Sequence, residues 1–177
     1  SNTPGNTQTV DYVRVEEVDG TAANPIVATN SWDVTGSLSF WDFGAMLYTF
    51  ETTGNWDIPG NWEQGILPAA TDNVLVSGGV TLTLNGNRTI NDVTIAAGGE
   101  IDVEGNDFTI NGASDIDGTI TAGAGTIDAE GAFDAENGTI DINGAGHLKL
   151  AGAVAHLGLL SIDFGTVTYD GAAAQAI

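Results

Sequence analysis

Short apolar–polar–apolar triplets recur along the chain about every 20 residues, and this repeat constrains the fold more than any other feature. One column of triplets has steps of 19, 26, 21 and 19 residues, and its members start at Leu82, Ile101, Ile127, Leu148 and Val167. A second column has steps of 27, 20 and 20 residues, and its members start at Val93, Ile120, Ile140 and Leu160. A nearly fixed period is typical of solenoid proteins, in which each repeat packs only against its neighbours.

The triplets and the residues between them fit a stacked β-structure. Successive side chains of a strand point to opposite faces, so each triplet directs two apolar side chains towards one core. Glycine, asparagine and aspartate separate the triplets, as in Asn85-Gly86-Asn87 and Asn143-Gly144, and permit tight corners. One turn of about 20 residues cannot bury its own apolar side, whereas a second turn stacked about 4.8 Å away buries both. The sequence therefore predicts an all-β, right-handed parallel β-solenoid (β-helix) with rungs of about 20 residues.

Both columns are stretched between residues 95 and 127, which predicts one rung with an inserted loop around Gly112–Gly118. The alternative fold is a β-sandwich whose antiparallel strands happen to be evenly spaced. Sandwich strands usually run longer, and hairpin loops would not preserve a period near 20 residues, so we favour the solenoid.

The amino-acid composition of the chain changes near residue 70. Residues 1–70 contain all four tryptophans, whereas residues 71–177 are rich in glycine and poor in aromatic side chains. An open solenoid end exposes unpaired backbone and core side chains, and large aromatic groups cover such an end efficiently. We therefore predict an aromatic-rich β N-terminal cap over residues 1–70 and a parallel β-solenoid over residues 71–177.

The tryptophans Trp32, Trp41, Trp56 and Trp62 allow a second interpretation. Exposed indole rings stack on sugars, so these four side chains are candidate carbohydrate-binding residues. Clustered aromatic side chains are more often part of a core, and we favour the cap. Carbohydrate binding remains the alternative.

The charge of the chain restricts its partners. The sequence has 24 acidic residues against three basic ones, Arg14, Arg88 and Lys149, for a net charge of -21. A charge of this sign and size repels phosphates and anionic lipids, so we expect no nucleic-acid partner. No stretch approaches the roughly 20 apolar residues of a membrane helix, and we expect no membrane insertion.

Four acidic side chains are candidate calcium ligands. Asp115 and Asp117 lie in the predicted inserted loop, and Asp134 and Glu136 lie in another oxygen-rich turn. Calcium prefers oxygen ligands, and its binding would relieve charge repulsion. Neither group matches an EF-hand loop or the glycine-rich repeat of calcium-binding β-rolls. We favour solvated turns, with no cofactor required, and keep calcium as the alternative.

Catalysis has little support in the sequence. A polysaccharide lyase needs an acidic cluster and a basic residue that removes a sugar proton, and only three basic side chains are available. A glycosidase needs two carboxylates that face one groove, and the many carboxylates here are explained as outward, solvated positions. His147 and His156 lie in different turns, which is weak support for zinc. We expect no enzymatic activity.

Residues Gly54–Val76 combine a tryptophan pair, Pro59 and the strand Asp72-Asn73-Val74, and a Gly-Gly-Val-Thr-Leu-Thr-Leu run follows at Gly78–Leu84. This segment resembles the opening of β-helical repeats in large Bacteroidetes-type secreted cell-surface, adhesin-like proteins. Two later segments, from Gly165 to Asp170 and from Ala174 to Ile177, resemble the internal repeats of such proteins. The resemblance covers about residues 54–177. It implies a secreted or cell-surface location and no shared catalytic motif.

We therefore expect an extracellular structural or adhesive segment, either a stalk or a filament-forming subunit. In proteins of the resembling type, the last phrase is normally followed by further rungs. From the resemblance we therefore expect either a fragment or a molecule whose solenoid end meets a partner. The expected partners are a second copy bound through the solenoid ends, a polysaccharide, or the surface of a host or neighbouring cell. A carbohydrate-binding module is the first alternative, and a polysaccharide-processing β-helix enzyme is the second.

Overall fold

A computed structural model of the protein describes residues 8–11, 14–15, 26–29, 32–33, 41–42 and 45–172, with side chains from residue 45 onwards. The protein divides into two compact units, Ser1–Leu47 and Tyr48–Ile177. The described strands of the first unit are β1 (Gln8–Asp11), β2 (Arg14–Val15), β3 (Ile26–Thr29), β4 (Trp32–Asp33) and β5 (Trp41–Asp42). Strands β1, β3 and β5 form one parallel sheet, and β2 pairs in parallel with β4.

Three sheets form the second unit, and each is built from strands that recur once per turn of the solenoid. Sheet I contains β6 (Leu47–Phe50), β8 (Asn73–Val76), β11 (Val93–Ile95), β14 (Ser114–Ile116), β17 (Phe133–Asp134) and β20 (Val154–His156). Sheet II contains β7 (Gly54–Asn55), β9 (Thr81–Thr83), β12 (Glu100–Asp102), β15 (Thr119–Thr121), β18 (Thr139–Ile142) and β21 (Leu159–Ile162). Sheet III contains β10 (Arg88–Ile90), β13 (Asp107–Ile110), β16 (Thr126–Ala129), β19 (His147–Leu150) and β22 (Thr166–Tyr169). A 3-10 turn at Pro59–Asn61 lies between β7 and β8.

The pairing of these strands confirms the predicted parallel β-solenoid, and the structure shows about five turns. In sheet II, Ile101 is the register partner of both Leu82 and Ile120, and Ile140 follows Ile120 in the next turn. The same residue positions recur in parallel along sheets I and III. From β8 onwards, each turn therefore contributes one strand to each sheet, and the sheets enclose a common core.

The predicted inserted loop at residues 112–118 is wrong. Ser114–Ile116 is strand β14, and it pairs in register with β11 on one side and β17 on the other. The apparent stretch arises because the sequence columns mix sheets: Leu82 and Ile101 lie in sheet II, whereas Ile127 lies in sheet III. Compared within one sheet, Ile101 is followed by Ile120, and the spacing is regular.

The core is a continuous apolar stack. Burial alternates along almost every strand, as in Thr126–Ala129, where Ile127 and Ala129 are buried and their neighbours are half-buried. The fully buried side chains include Leu82, Ile101, Ile120 and Ile140 of sheet II and Phe108, Ile127 and Leu148 of sheet III. Each burial of such a side chain contributes roughly 1.5–3 kcal/mol, so repetition of the rung stabilises the whole unit.

One corner of the solenoid brings backbones into close contact. Gly112, Gly131 and Gly152 occupy equivalent positions in three successive turns. A Cβ atom on Gly131 would collide with the carbonyl group of Gly112, and one on Gly152 would collide with that of Gly131. Glycine at this corner therefore lets successive turns stack without displacement.

An aromatic cluster covers the start of the second unit. Tyr48, Phe50, Trp56 and Trp62 are all buried, and the rings meet edge to face, with 4.9 Å between the ring centroids of Trp56 and Trp62. The indole Nε1 of Trp62 donates a hydrogen bond of 2.8 Å to the backbone carbonyl of Trp56. Trp56 also lies 6.3 Å from Phe108, centroid to centroid, which joins the cluster to the solenoid core. Within the described residues, no helix is long and apolar enough to cross a membrane.

Candidate functional site

The outward face of sheet I carries a row of polar side chains in successive turns. Thr94 is the register partner of Asp115, Asp115 is the partner of Asp134, and Asp134 is paired with His156. Nδ1 of His156 lies 3.0 Å from Oδ1 of Asp134. Both side chains are about half exposed, so this pair lies in water and contributes little to stability.

A shallow surface concavity of ≈ 450 Å³ lies on the same sheet. Small side chains recur along it, because equivalent positions before the strands of three successive turns are occupied by Ala113, Ala132 and Ala153. Asp115 and Asp134 also line the concavity. Ser114, another lining residue, is only 3% exposed, and its Oγ makes no hydrogen bond within residues 45–172. The concavity is wide and open, and its geometry fits a surface contact better than an enclosed ligand.

The structure brings two of the four candidate calcium ligands together. Asp115 and Asp134 are register partners in adjacent strands, although the sequence predicts a loop at Asp115. Oδ1 of Asp117 accepts a hydrogen bond of 3.1 Å from Nδ2 of Asn137, and Oδ1 of Asp134 accepts one of 3.1 Å from the backbone N–H of Glu136. Among the described residues, no three acidic, histidine or cysteine side chains converge as a metal site would require.

The candidate carbohydrate-binding tryptophans fall into two groups. Trp56 and Trp62 are only 2% and 3% exposed, so neither ring offers a free face to a sugar. Their burial is that of core residues in the aromatic cluster. The backbones of Trp32 and Trp41 belong to β4 and β5, and their side chains lie outside the described residues.

The last described turn presents an apolar surface, which we call the end face. Strands β20, β21 and β22 are the terminal members of their sheets. Their inward side chains, Leu160 and Val167, are half-buried, whereas the register partners Ile140 and Leu148 in the preceding turn are fully buried. Three further apolar side chains of this turn are exposed: Leu159 by 69%, Ile162 by 45% and Phe164 by 86%.

Two polar contacts that join neighbouring turns were not identified from the sequence. Nζ of Lys149 lies 3.4 Å from Oδ2 of Asp128, its register partner in β16, and both are partly buried. His147 Nε2 lies 2.8 Å from the hydroxyl of Thr168 in the next turn. The sequence carried the signal for both contacts, because the column with members at Ile127, Leu148 and Val167 already places these triplets in successive turns.

One ionisable group in the aromatic cluster is strongly perturbed. Burial raises the pKa of Tyr48 from 10.0 to about 12, and the negative charge of Asp72 adds to the rise. The hydroxyl therefore stays neutral at physiological pH. Its burial fits a structural role in the cluster.

No protein-family model, no curated protein and no solved structure matches this sequence. The functional proposal therefore depends on the residues and the geometry of the molecule itself.

Proposed function

We propose that this protein is an extracellular, secreted or cell-surface structural segment that acts as a rigid stalk or spacer in an adhesin-like protein and has no catalytic activity. One observation carries the proposal: the turns from β8 to β22 stack in parallel, in register except for one shift between Phe133 and Asp134, and their connections are two to four residues long. Binding and catalytic residues are disproportionately found on loops that a scaffold positions. A solenoid with such short corners is better suited to maintain a distance than to build a deep site.

The outward surface supports the same function. Threonine and carboxylate side chains alternate along the outward positions, as in Thr83, Asp102, Thr121 and Asp141 of sheet II. The net charge of -21 keeps such a surface hydrated and opposes lateral association of parallel stalks. Extracellular calcium is the cation expected to moderate this repulsion, as a general counter-ion at the surface.

A filament-forming subunit is the second version of the proposal, and the end face favours it. The end face combines half-buried core positions with the exposed side chains Leu159 and Phe164. Apolar surface of this kind is buried in stable assemblies and is favourable by about 25 cal/mol per Å². A second copy that covers the end face would extend the rung-on-rung packing of the solenoid.

Light scattering coupled to size-exclusion chromatography, with negative-stain imaging of the same fractions, separates the two versions. The filament version predicts ordered assemblies that the end-face variant Phe164→Asp abolishes. Ile58→Asp is the matched control, because Ile58 is 50% exposed in the segment that precedes the 3-10 turn. The stalk version predicts a monomer for all three proteins. Runs with calcium and with chelator show whether the cation changes either result.

A further inference from the structure

Four asparagine–glycine pairs lie at the corners of the solenoid: Asn85-Gly86, Asn111-Gly112, Asn137-Gly138 and Asn143-Gly144. In such a pair, the backbone nitrogen of glycine can attack Cγ of the asparagine side chain, because glycine lacks the Cβ that hinders the approach. The reaction requires a glycine N–H that is free of hydrogen bonds and an asparagine side chain that can rotate into position. The structure separates the four pairs on both criteria.

The first criterion is the glycine N–H. The N–H of Gly112 donates a hydrogen bond of 2.8 Å to the carbonyl of Asn91, and that of Gly138 donates one of 3.0 Å to the carbonyl of Ala135. Within residues 45–172, the N–H groups of Gly86 and Gly144 donate no hydrogen bond. Attack by Gly112 or Gly138 therefore requires local opening of the corner first.

The second criterion is the asparagine side chain. The amide of Asn85 donates to Asp57 over 2.9 Å and accepts from Arg88 over 3.2 Å, and the amide of Asn137 donates to Asp117 over 3.1 Å. The side chains of Asn111 and Asn143 make no hydrogen bond within the same stretch of residues. Asn143 is therefore the one member of the four pairs that meets both criteria.

We propose that Asn143 is a site of spontaneous deamidation in the folded protein. The nitrogen of Gly144 loses its proton and bonds to Cγ of Asn143, the bond between Cγ and Nδ2 breaks, and ammonia leaves. Water then adds to one of the two carbonyls of the cyclic imide. Addition of water at Cγ regenerates the normal backbone, with aspartate at position 143. Addition at the backbone carbonyl carbon of residue 143 yields isoaspartate.

The location of Asn143 gives the modification a structural consequence. Gly144 is stacked on the corner of the preceding turn, where a Cβ on Gly144 would lie 3.3 Å from the carbonyl oxygen of Gly123. Isoaspartate adds one methylene to the backbone, and a corner stacked this closely must shift to accept it. Aspartate adds a negative charge to a protein that already has a net charge of -21. Deamidation at position 143 would thus change both the backbone of this corner and the charge of the solenoid over time.

The test is incubation of the purified protein, residues 1–177, in mildly alkaline buffer, followed by digestion with pepsin in acid and mass spectrometry of the peptides. We expect Asn143 to deamidate more than about tenfold faster than Asn137. The side-chain amide of Asn137 and the N–H of the glycine that follows it are both hydrogen-bonded, so Asn137 reacts only when the corner opens locally. The deamidation rates of Asn85 and Asn111 should fall between these two, because in each pair only the side-chain amide or only the glycine N–H is hydrogen-bonded. In denaturant, all four pairs should react at similar rates, since only folded structure distinguishes them.

Asn143→Gln is the control variant, because cyclisation of glutamine would form a larger and less favourable ring. It should abolish the product at position 143 and leave the rates at the other three pairs unchanged. Equal rates at Asn143 and Asn137 in the folded protein would overturn the proposal. The same holds if Asn143 reacts no faster in the folded protein than Asn111.

Discussion

The guanidinium group of Arg88 lies over the indole ring of Trp56, with 5.9 Å between Cζ and the ring centroid. Arg88 is the register partner of Phe108, so it occupies a position that is apolar and buried in the later turns of sheet III. The charge is accommodated because β10 is the first strand of that sheet and Asp57 pairs with the guanidinium. Arg88 thereby joins the aromatic cluster to the first complete turn.

Replacement of Arg88 should destabilise this junction. Arg88→Ala removes the cation–π contact, the ion pair with Asp57 and the apolar stem of the side chain, and should lower the free energy of unfolding by about 1–2 kcal/mol. Arg88→Lys keeps the charge but loses the planar contacts, so its loss should be smaller. Urea unfolding monitored by circular dichroism measures both values. Equal stability of wild type and Arg88→Ala would contradict a role for this contact.

The glycine stack at one corner should tolerate no side chain. Gly131→Ala places a Cβ against the carbonyl group of Gly112 and should cost about 1–3 kcal/mol, since the backbones of two turns must separate. Gly60→Ala is the control, because a Cβ at that position meets no atom within 4 Å, and its effect should stay within about 0.5 kcal/mol. Thermal or urea unfolding distinguishes the two variants. If both variants cost the same, the turns do not stack as described.

The raised pKa of Tyr48 predicts a loss of stability at alkaline pH. The unfolded protein releases the hydroxyl proton near pH 10, whereas the folded protein holds it until about pH 12. The unfolded state therefore binds fewer protons between these values, and the free energy of unfolding should fall by about 2–3 kcal/mol as pH rises through this window. Below pH 10 the contribution is fully present. Tyr48→Phe should flatten the profile, and an unchanged slope in that variant would exclude Tyr48 as its source.

Burial of Trp56 and Trp62 leaves Trp32 and Trp41 as the candidate sugar-stacking tryptophans. A variant with Trp32→Phe and Trp41→Phe should show no change in tryptophan fluorescence when a panel of polysaccharides is added, because its two indoles are buried. Binding that persists in this variant and shifts its emission would mean that the aromatic cluster opens to ligands. A shift in the wild-type protein alone would assign the sugar contact to Trp32 or Trp41.

The fold class could be predicted from the sequence because the repeat determines how the backbones of successive turns stack. Any turn of about 20 residues with inward apolar pairs and small corner residues stacks in the same way. The repeat does not predict which triplets share a sheet. Ile120 and Ile127 both begin an apolar–polar–apolar triplet, and only backbone pairing places Ile120, not Ile127, beside Ile101.

The error about Asp115 has the same origin. Alignment of Ile101 with Ile127 leaves the residues between them without a partner, and unpartnered residues favour a loop. Arg88 escapes prediction for a different reason: an inward arginine contradicts the apolar pattern, and only its position in the first strand of sheet III lets its charged end reach Asp57. The solvated positions of Asp117 and Glu136 on the surface follow from short corners, which the repeat does predict.

Disulfide trapping tests the register of the solenoid most directly, because the sequence has no cysteine of its own. Parallel neighbours lie about 4.8 Å apart, within the range of Cα separations that a disulfide spans. The register pairs Asp102 with Thr121, so a variant with Asp102→Cys and Thr121→Cys should crosslink within one molecule on mild oxidation. A variant with Asp102→Cys and Asp128→Cys, which would pair if the sequence columns were one sheet, should remain reduced. Crosslinking in the second variant and not in the first would contradict the register on which the stalk proposal depends.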